Sequence, residues 1–217
     1  MRSAILILIV LFCFSKPALI AQGLEDVDGN IYLTVKIGNQ VWMAENLKTT
    51  KFTDGRPVQI VTDAKKWQNL KTPGYCWLNN NISNKESFGA LYNWYTVNSA
   101  KICPQGWHVP SNNEWKTMIY YIKGTDRGGD KLKERGLAHW KNNTDNVTNE
   151  YGFTALPSGY RRSTGEFPGD SYAVWWTSTG YSATEASIWG LNDIVTSVFN
   201  GYEKMKSGFS IRCIKDQ

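Results

Sequence analysis

Residues 103 to 115, CPQGWHVPSNNEW, concentrate a cysteine, two prolines, two tryptophans and a histidine in one short stretch. Nucleophilic catalysis there would need a base within hydrogen-bond reach, and His108 and His139 are the only histidines in the chain. His108 stands between Trp107 and Val109-Pro110, where a satisfied structural imidazole is the favoured role. Zinc would need three or four clustered ligands, and no CxxC or HxxxH pair is present. The stretch therefore reads as a structural knot, with Trp107 and Trp115 in the core and no contact with a ligand.

Binding chemistry is better placed between Tyr160 and Asp193. Gly-Asp-Ser turns, Arg161-Arg162 and the Trp175-Trp176 pair gather there, on loops of the kind that carry function on a rigid scaffold. An indole offers a flat apolar face to a sugar. The ligand-binding candidates are Arg161, Tyr172, Trp175, Trp176, Trp189, Asn192 and Asp193. Alternation along a strand sends Trp175 and Trp176 to opposite faces, so at most one is core if one side of the sheet is solvated. On this expectation Trp176→Ala or Asp193→Ala weakens binding and leaves the melting temperature alone. Calcium can be held by loop oxygens, with Glu166, Asp170, Asn192 and Asp193 as weak candidates, although Asn-Asp is equally ordinary turn chemistry. No cofactor is expected otherwise. A glycan-active enzyme ranks third, because isolated carboxylates such as Glu166 and Asp170 occur in any loop.

Short elements must position these groups. Ile31, Leu33, Val35 and Ile37 alternate, then Gly38-Asn39-Gln40 turns into Val41-Trp42-Met43-Ala44, a hairpin signal. Residues 63–70 read as a short helix started by Asp63. Residues 88–98 place Leu91, Trp94 and Tyr95 at helical spacing. A better-marked helix follows Pro110: Ser111-x-x-Glu114 is a capping box, Trp115, Met118, Ile119 and Ile122 repeat at the helical period, and Gly124 closes it. Residues 125–150 read as a polar surface excursion with one helical turn near Lys131–Arg135. Strand-type segments return at 152–156, 173–177, 186–191, 194–199 and 209–214, with Asn192-Asp193 as a hairpin turn.

Residues 1–21 read as a secretory signal peptide: Arg2, an apolar run from Ala4 to Phe14 too short to span a bilayer, and Ala21 before Gln22. Phe12 before Cys13 argues against a lipid anchor. The expected organisation is a signal peptide over 1–21, an N-terminal tail over 22–30 and a single domain over 31–217. Removing Arg2 and Lys16 from the 24 basic groups leaves a small excess over the 19 acidic ones, spread without a basic run, which excludes nucleic acid as the expected partner. No segment reads as membrane-spanning. Aromatic residues make up 13% of the chain, with 10 tryptophans, as expected where large rings fill the core of a loop-rich fold. Beyond the leader lie Cys76, Cys103 and Cys213; an oxidising compartment favours one disulfide and leaves one cysteine over.

Several motifs follow one another in order: Gly38-x-Gln40-x-Trp42-Met43-Ala44-Glu45-Asn46-Leu47, Tyr75-Cys76-Trp77, Ala90-Leu91-Tyr92-Asn93-Trp94, and Cys103-Pro104-x-Gly106-Trp107-His108-Val109-Pro110-Ser111-x-x-Glu114-Trp115. After them come Gly152-Phe153-x-Ala155-Leu156-Pro157-x-Gly159-Tyr160-Arg161, Trp175-Trp176-x-Ser178 and Ser210-Ile211-Arg212-Cys213. Together they resemble the Fibrobacter succinogenes major paralogous domain, found in exported and surface proteins of Bacteroidota and Fibrobacter, over nearly the whole mature chain. The resemblance implies an α+β, C-type-lectin-like fold related to the formylglycine-generating enzymes: two main helices, a small twisted antiparallel sheet and a long irregular region before the last strands. It also implies that Cys103 pairs with Cys213 and leaves Cys76 free. The relatives that generate formylglycine use two cysteines close together near the C-terminus, whereas Cys213 stands alone in its region. The proline tripeptide by which C-type lectins hold calcium is missing too, and Trp189-Gly190-Leu191-Asn192-Asp193 is a broken echo of their Trp-Asn-Asp strand. The expectation is an exported, non-catalytic, lectin-like protein that binds a glycan or a surface protein at the cell envelope. The alternative is a structural or adhesive surface protein whose fold is a scaffold for protein contacts.

Overall fold

The computed structural model describes residues 23–124, 126–142 and 146–217. The expected signal peptide, Cys13 with it, lies outside the described residues. In chain order the elements are β1 (Leu24–Glu25), β2 (Ile31–Tyr32), β3 (Thr34–Ile37), β4 (Gln40–Met43), β5 (Gln59–Ile60), α1 (Ala64–Asn69), β6 (Gly74–Trp77), α2 (Lys85–Phe88) and β7 (Ala90–Tyr92). There follow α3 (Trp94–Val97), β8 (Trp107–His108), α4 (Asn112–Tyr121), α5 (Gly128–Leu132), β9 (Tyr172–Gly180), β10 (Glu185–Asn192), β11 (Phe199–Lys204) and β12 (Ile214–Lys215). The fold is mixed, mostly sheet with few helices. Among the described residues the strands form four small sheets, ordered β1-β2, β5-β6-β7, β3-β4-β12-β8 and β11-β10-β9.

Two main helices are not what these residues build. Helix α4 has ten residues, and its start follows the expected capping box: Glu114 N donates to Ser111 Oγ at 3.3 Å, and Ser111 N to Glu114 Oε2 at 2.7 Å. The helix expected over 88–98 is divided. Gly89 adopts φ +71°, Leu91 pairs with Cys76 in the β6–β7 ladder, and the Asn93 side chain caps a single turn by accepting from Thr96 N. A Cβ at Gly89 would meet Asn46 and Leu47 at 2.8 Å, so backbone proximity as well as conformation requires glycine there.

Three other expectations are corrected. Residues 125–150 do not lie wholly on the surface, because Leu132, Trp140 and Val147 are buried, and Trp140 Nε1 donates to Ala155 O at 2.8 Å. Residues 152–156 form no strand beyond a single bridge from Ala155 to Lys133. Nor do Asn192-Asp193 make a tight hairpin. The Asn192 side chain accepts from Ile194 N at 3.0 Å and Val195 N at 2.9 Å, ending β10, and residues 193–198 then loop to β11.

Sheet β11-β10-β9 separates two large cores. One gathers Trp42, Trp115, Trp140, Phe153, Trp175 and Trp189 beneath α4. The other gathers Trp94, Tyr92, Trp176 and Phe209 around Cys103 and Cys213. Alternation along β9 therefore sends Trp175 into one core and Trp176 into the other, at 1% and 0% exposure. The expectation that at most one of them is core assumed a solvated sheet face, and both faces are covered.

Two buried contacts join distant segments. Cys103 and Cys213 form the disulfide that the family resemblance implied, with Cα atoms 5.9 Å apart, while Cys76 is free and buried. Asn46 Oδ1 accepts from both Trp175 Nε1 at 2.8 Å and Arg212 Nε at 2.9 Å. The Arg212 guanidinium also donates to the carbonyls of Phe153 and Thr154 and lies over the Phe153 ring. Burial pushes Arg212 down to about 9.

Candidate functional site

The chemically capable groups of the opening cluster are engaged in the fold. His108 Nδ1 lies 2.6 Å from Asp216 Oδ1, and its Nε2 lies 2.9 Å from Glu114 Oε1. His139 Nδ1 lies 2.8 Å from Glu134 Oε2. Trp115 is core as expected, but Trp107 is only partly buried, packed against the disulfide-containing core. Burial alone would lower His108; the Asp216 and Glu114 carboxylates outweigh it and raise the imidazole above its usual value. Burial would likewise raise Glu114, and its bonds from Ser111 and His108 overcome this and lower it. A raised histidine contributes stability that is present below its unfolded pKa and is lost as pH rises through the folded one. A lowered glutamate contributes above its unfolded pKa and is lost as pH falls through the folded one. The clasp between the α4 cap and the C-terminus is thus strongest between the usual carboxylate range and the raised His108 value. Since His108 is 42% exposed, its worth is at most about 1 kcal/mol. The parent is expected to lose melting temperature as pH rises above the usual histidine value, and a His108→Gln variant to lose that fall; an unchanged slope would remove His108 as its cause.

The expected ligand residues are dispersed, and most are buried. Arg161 is fully buried, donates to the carbonyls of Gly165, Val61 and Thr62 at 2.9, 2.6 and 2.9 Å, and stacks over Trp67 and Phe167. Trp175 and Trp176 are buried, with indole N–H groups donating to Asn46 Oδ1 and to Tyr92 O. Trp189 is buried with its N–H on Asn112 Oδ1. Asp193 is buried too, accepting from Asn142 Nδ2 at 3.3 Å. Tyr172 remains exposed, its ring edge-on to Tyr160 and Phe199. Substituting Trp176 or Asp193 would therefore perturb packing rather than a surface.

The weak calcium candidates do not converge. Asp170 pairs with Lys141 at 2.8 Å, Glu166 accepts from the Thr164 hydroxyl, and Asn192 closes its own turn. Asp193 and Asp130 lie near Lys133, supporting an ammonium that burial lowers. Among the described residues no group of three His, Cys, Asp or Glu side chains is placed to hold a metal ion.

Open surface chemistry lies elsewhere, on the outer side of α4. A cleft of about 1320 Å³ is lined by residues of that helix, by the β3–β4 hairpin tip at Ile37–Gln40 and by Arg127, Lys131, Trp189 and Asn200. Since Trp115, Met118 and Ile119 are buried, the helical period turns Lys116 and Tyr120 outward at i and i+4, and Lys123 is exposed just past the helix end. In chain order they read cation, ring, cation. Tyr120 is 88% exposed and Tyr121 53% exposed. Tyr121 lies over Gly38, where a Cβ would meet its ring at 3.0 Å, and stands edge-on to Tyr151. Lys123 adopts φ +55° at the helix end, a conformation usually left to glycine. Sequence reasoning passed over these residues, although the α4 periodicity that marked the core positions also marks the outward ones. A second exposed aromatic feature is Tyr181 stacked on Tyr202, their centroids 3.6 Å apart.

Compared with known proteins, residues 35–215 match the family model described as the Fibrobacter succinogenes major domain. No curated protein and no solved structure matches the chain.

Proposed function

The chain belongs to the Fibrobacter succinogenes major domain family, and we propose that within it this protein is an exported, non-catalytic, lectin-like binding protein of the bacterial cell envelope that holds a glycan. The observation that carries the reading is the cleft beside α4: the exposed Tyr120 and Tyr121 share its lining with amide and ammonium donors from the helix and the segments around it. Rings stack on the apolar faces of sugars while the donors meet hydroxyls. The lectin-like reading of the fold draws support from the covalent tie between the segment leading into α4 and the one leading into the last strand. Export is supported by the leader pattern and by a disulfide, which persists in an oxidising compartment. Both ring nitrogens of His108 face carboxylate oxygens, leaving that imidazole no free nitrogen to act as a base, which supports binding over catalysis at the opening stretch.

One observation favours the second reading, a structural or adhesive scaffold for protein contacts: the Tyr181–Tyr202 stack joins the β9–β10 turn to the edge strand β11. A printed array of neutral and acidic glycans separates the two. Under the first reading the array gives specific signals that Tyr120→Ala abolishes or cuts at least ten-fold, with the melting temperature unchanged, since a ring this exposed adds little to packing (a cost on the order of 0.5 kcal/mol or less). A silent array, together with a protein partner captured through Tyr181 and Tyr202, would establish the scaffold reading instead.

A further inference from the structure

We propose that the cleft beside α4 takes an acidic saccharide, a chain bearing uronate or sulfate groups. The inference rests on the glycan reading of that cleft and adds the charge of the ligand. Four cations line the cleft, Lys116, Lys123, Arg127 and Lys131, against one carboxylate, Asp126. Arg127 is partly neutralised by Asp130 at 3.1 Å, and Lys131 by Glu150 at 3.5 Å. No ion pair engages Lys116 or Lys123 among the described residues, and both line the cleft with Tyr120, Lys116 one turn before it on α4 and Lys123 just past the helix end. Two uncompensated cations in one cleft with an exposed ring suit a sugar whose face stacks and whose substituents carry negative charge.

The walls favour a saccharide over an acidic peptide. They come from α4, the hairpin tip, the segment from Gly124 to Lys131 and Trp189 of β10, and Asn200 alone reaches in from the edge strand β11, so the cleft offers side chains of several segments rather than a run of free strand edge on which an extended peptide pairs. The amides of Asn39 and Asn200, with the Thr117 hydroxyl as an acceptor because its proton goes to Asn113 O, supply the neutral hydrogen bonds that sugar hydroxyls need.

Lys123 allows a test that does not depend on damaging the fold. Its φ of +55° suits glycine better than lysine, so Lys123→Gly removes the charge while easing the backbone. The probe is oligogalacturonate, with its methyl ester as the uncharged chain of the same backbone, measured by isothermal titration at low and high salt. Binding of the acid form is expected to exceed that of the ester, to weaken as salt screens the contact, and to fall about three- to five-fold in Lys123→Gly and again in Lys116→Gln. The melting temperature of Lys123→Gly should hold or rise. Equal binding of acid and ester, unmoved by either substitution, would overturn the acidic assignment and leave the glycan reading standing. Failure to bind the acid form also overturns it, with the fate of the glycan reading decided by neutral signals on the array. Competition by polyglutamate as effective as that of oligogalacturonate would assign the cations to an acidic peptide.

Discussion

Trp115→Ala is expected to destabilise the protein by roughly 3 to 5 kcal/mol, the range for deleting a large buried ring. Trp115 is 1% exposed at the meeting point of the core beneath α4. Its ring lies 5.0 Å from Trp42, 6.0 Å from Phe153, 5.5 Å from Trp175 and 6.2 Å from Trp189, so truncation leaves a void that four rigid neighbours cannot close. Its indole N–H has no hydrogen-bond partner among the described residues, so Trp115→Phe removes volume without stranding an acceptor and should cost less than half as much. Urea denaturation reads both variants. A loss below about 1 kcal/mol for Trp115→Ala would mean that this core relaxes freely, contrary to the packing described.

The second large effect is expected at the disulfide. Cys103 and Cys213 are separated by 110 residues, and in the chain-entropy model closing so long a loop is worth roughly 4 to 5 kcal/mol, while measured losses of native disulfides run from about 2 to 5. The double variant Cys103→Ser, Cys213→Ser should therefore melt well below the oxidised parent, and reduction of the parent should reproduce the shift. Cys76 supplies a control: burial pushes its thiol up to about 12 and shields it from reagents. Of Cys76, Cys103 and Cys213, iodoacetamide should label none in the folded, oxidised protein and Cys76 alone after unfolding without reductant. Labelling of Cys103 or Cys213 under either condition would contradict the pairing.

How far the sequence announced this structure depends on how local each signal was. The α4 start was legible because a capping box and a helical period lie within twelve consecutive residues, and Asp63 marked α1 in the same way. The alternation of Trp175 and Trp176 was legible too. The covering of both sheet faces was not, because the covers are remote: Trp175 packs on Trp115, and Trp176 donates to Tyr92. The Asn46–Arg212 contact joins residues 166 positions apart, so neither motif in isolation discloses that it is half of a buried cluster. Arg161 misled for the same reason, since Val61 and Thr62, whose carbonyls it serves, lie about 100 positions upstream. The candidate site was half legible. Helical periodicity identified which α4 residues face out, but only the approach of the β3–β4 hairpin turns that face into a cleft.

That relocation, from the buried tryptophans of β9 and β10 to the exposed stripe of α4, is the central claim, and hydroxyl-radical footprinting of tyrosine side chains tests it directly. With oligogalacturonate bound, Tyr120 and Tyr121 should be protected from oxidation, while Tyr181 and Tyr202, also exposed in the free chain, keep their reactivity. Protection confined to Tyr172, Tyr181 or Tyr202, with Tyr120 oxidised as fast as before, would contradict the account and return the site to the later loops.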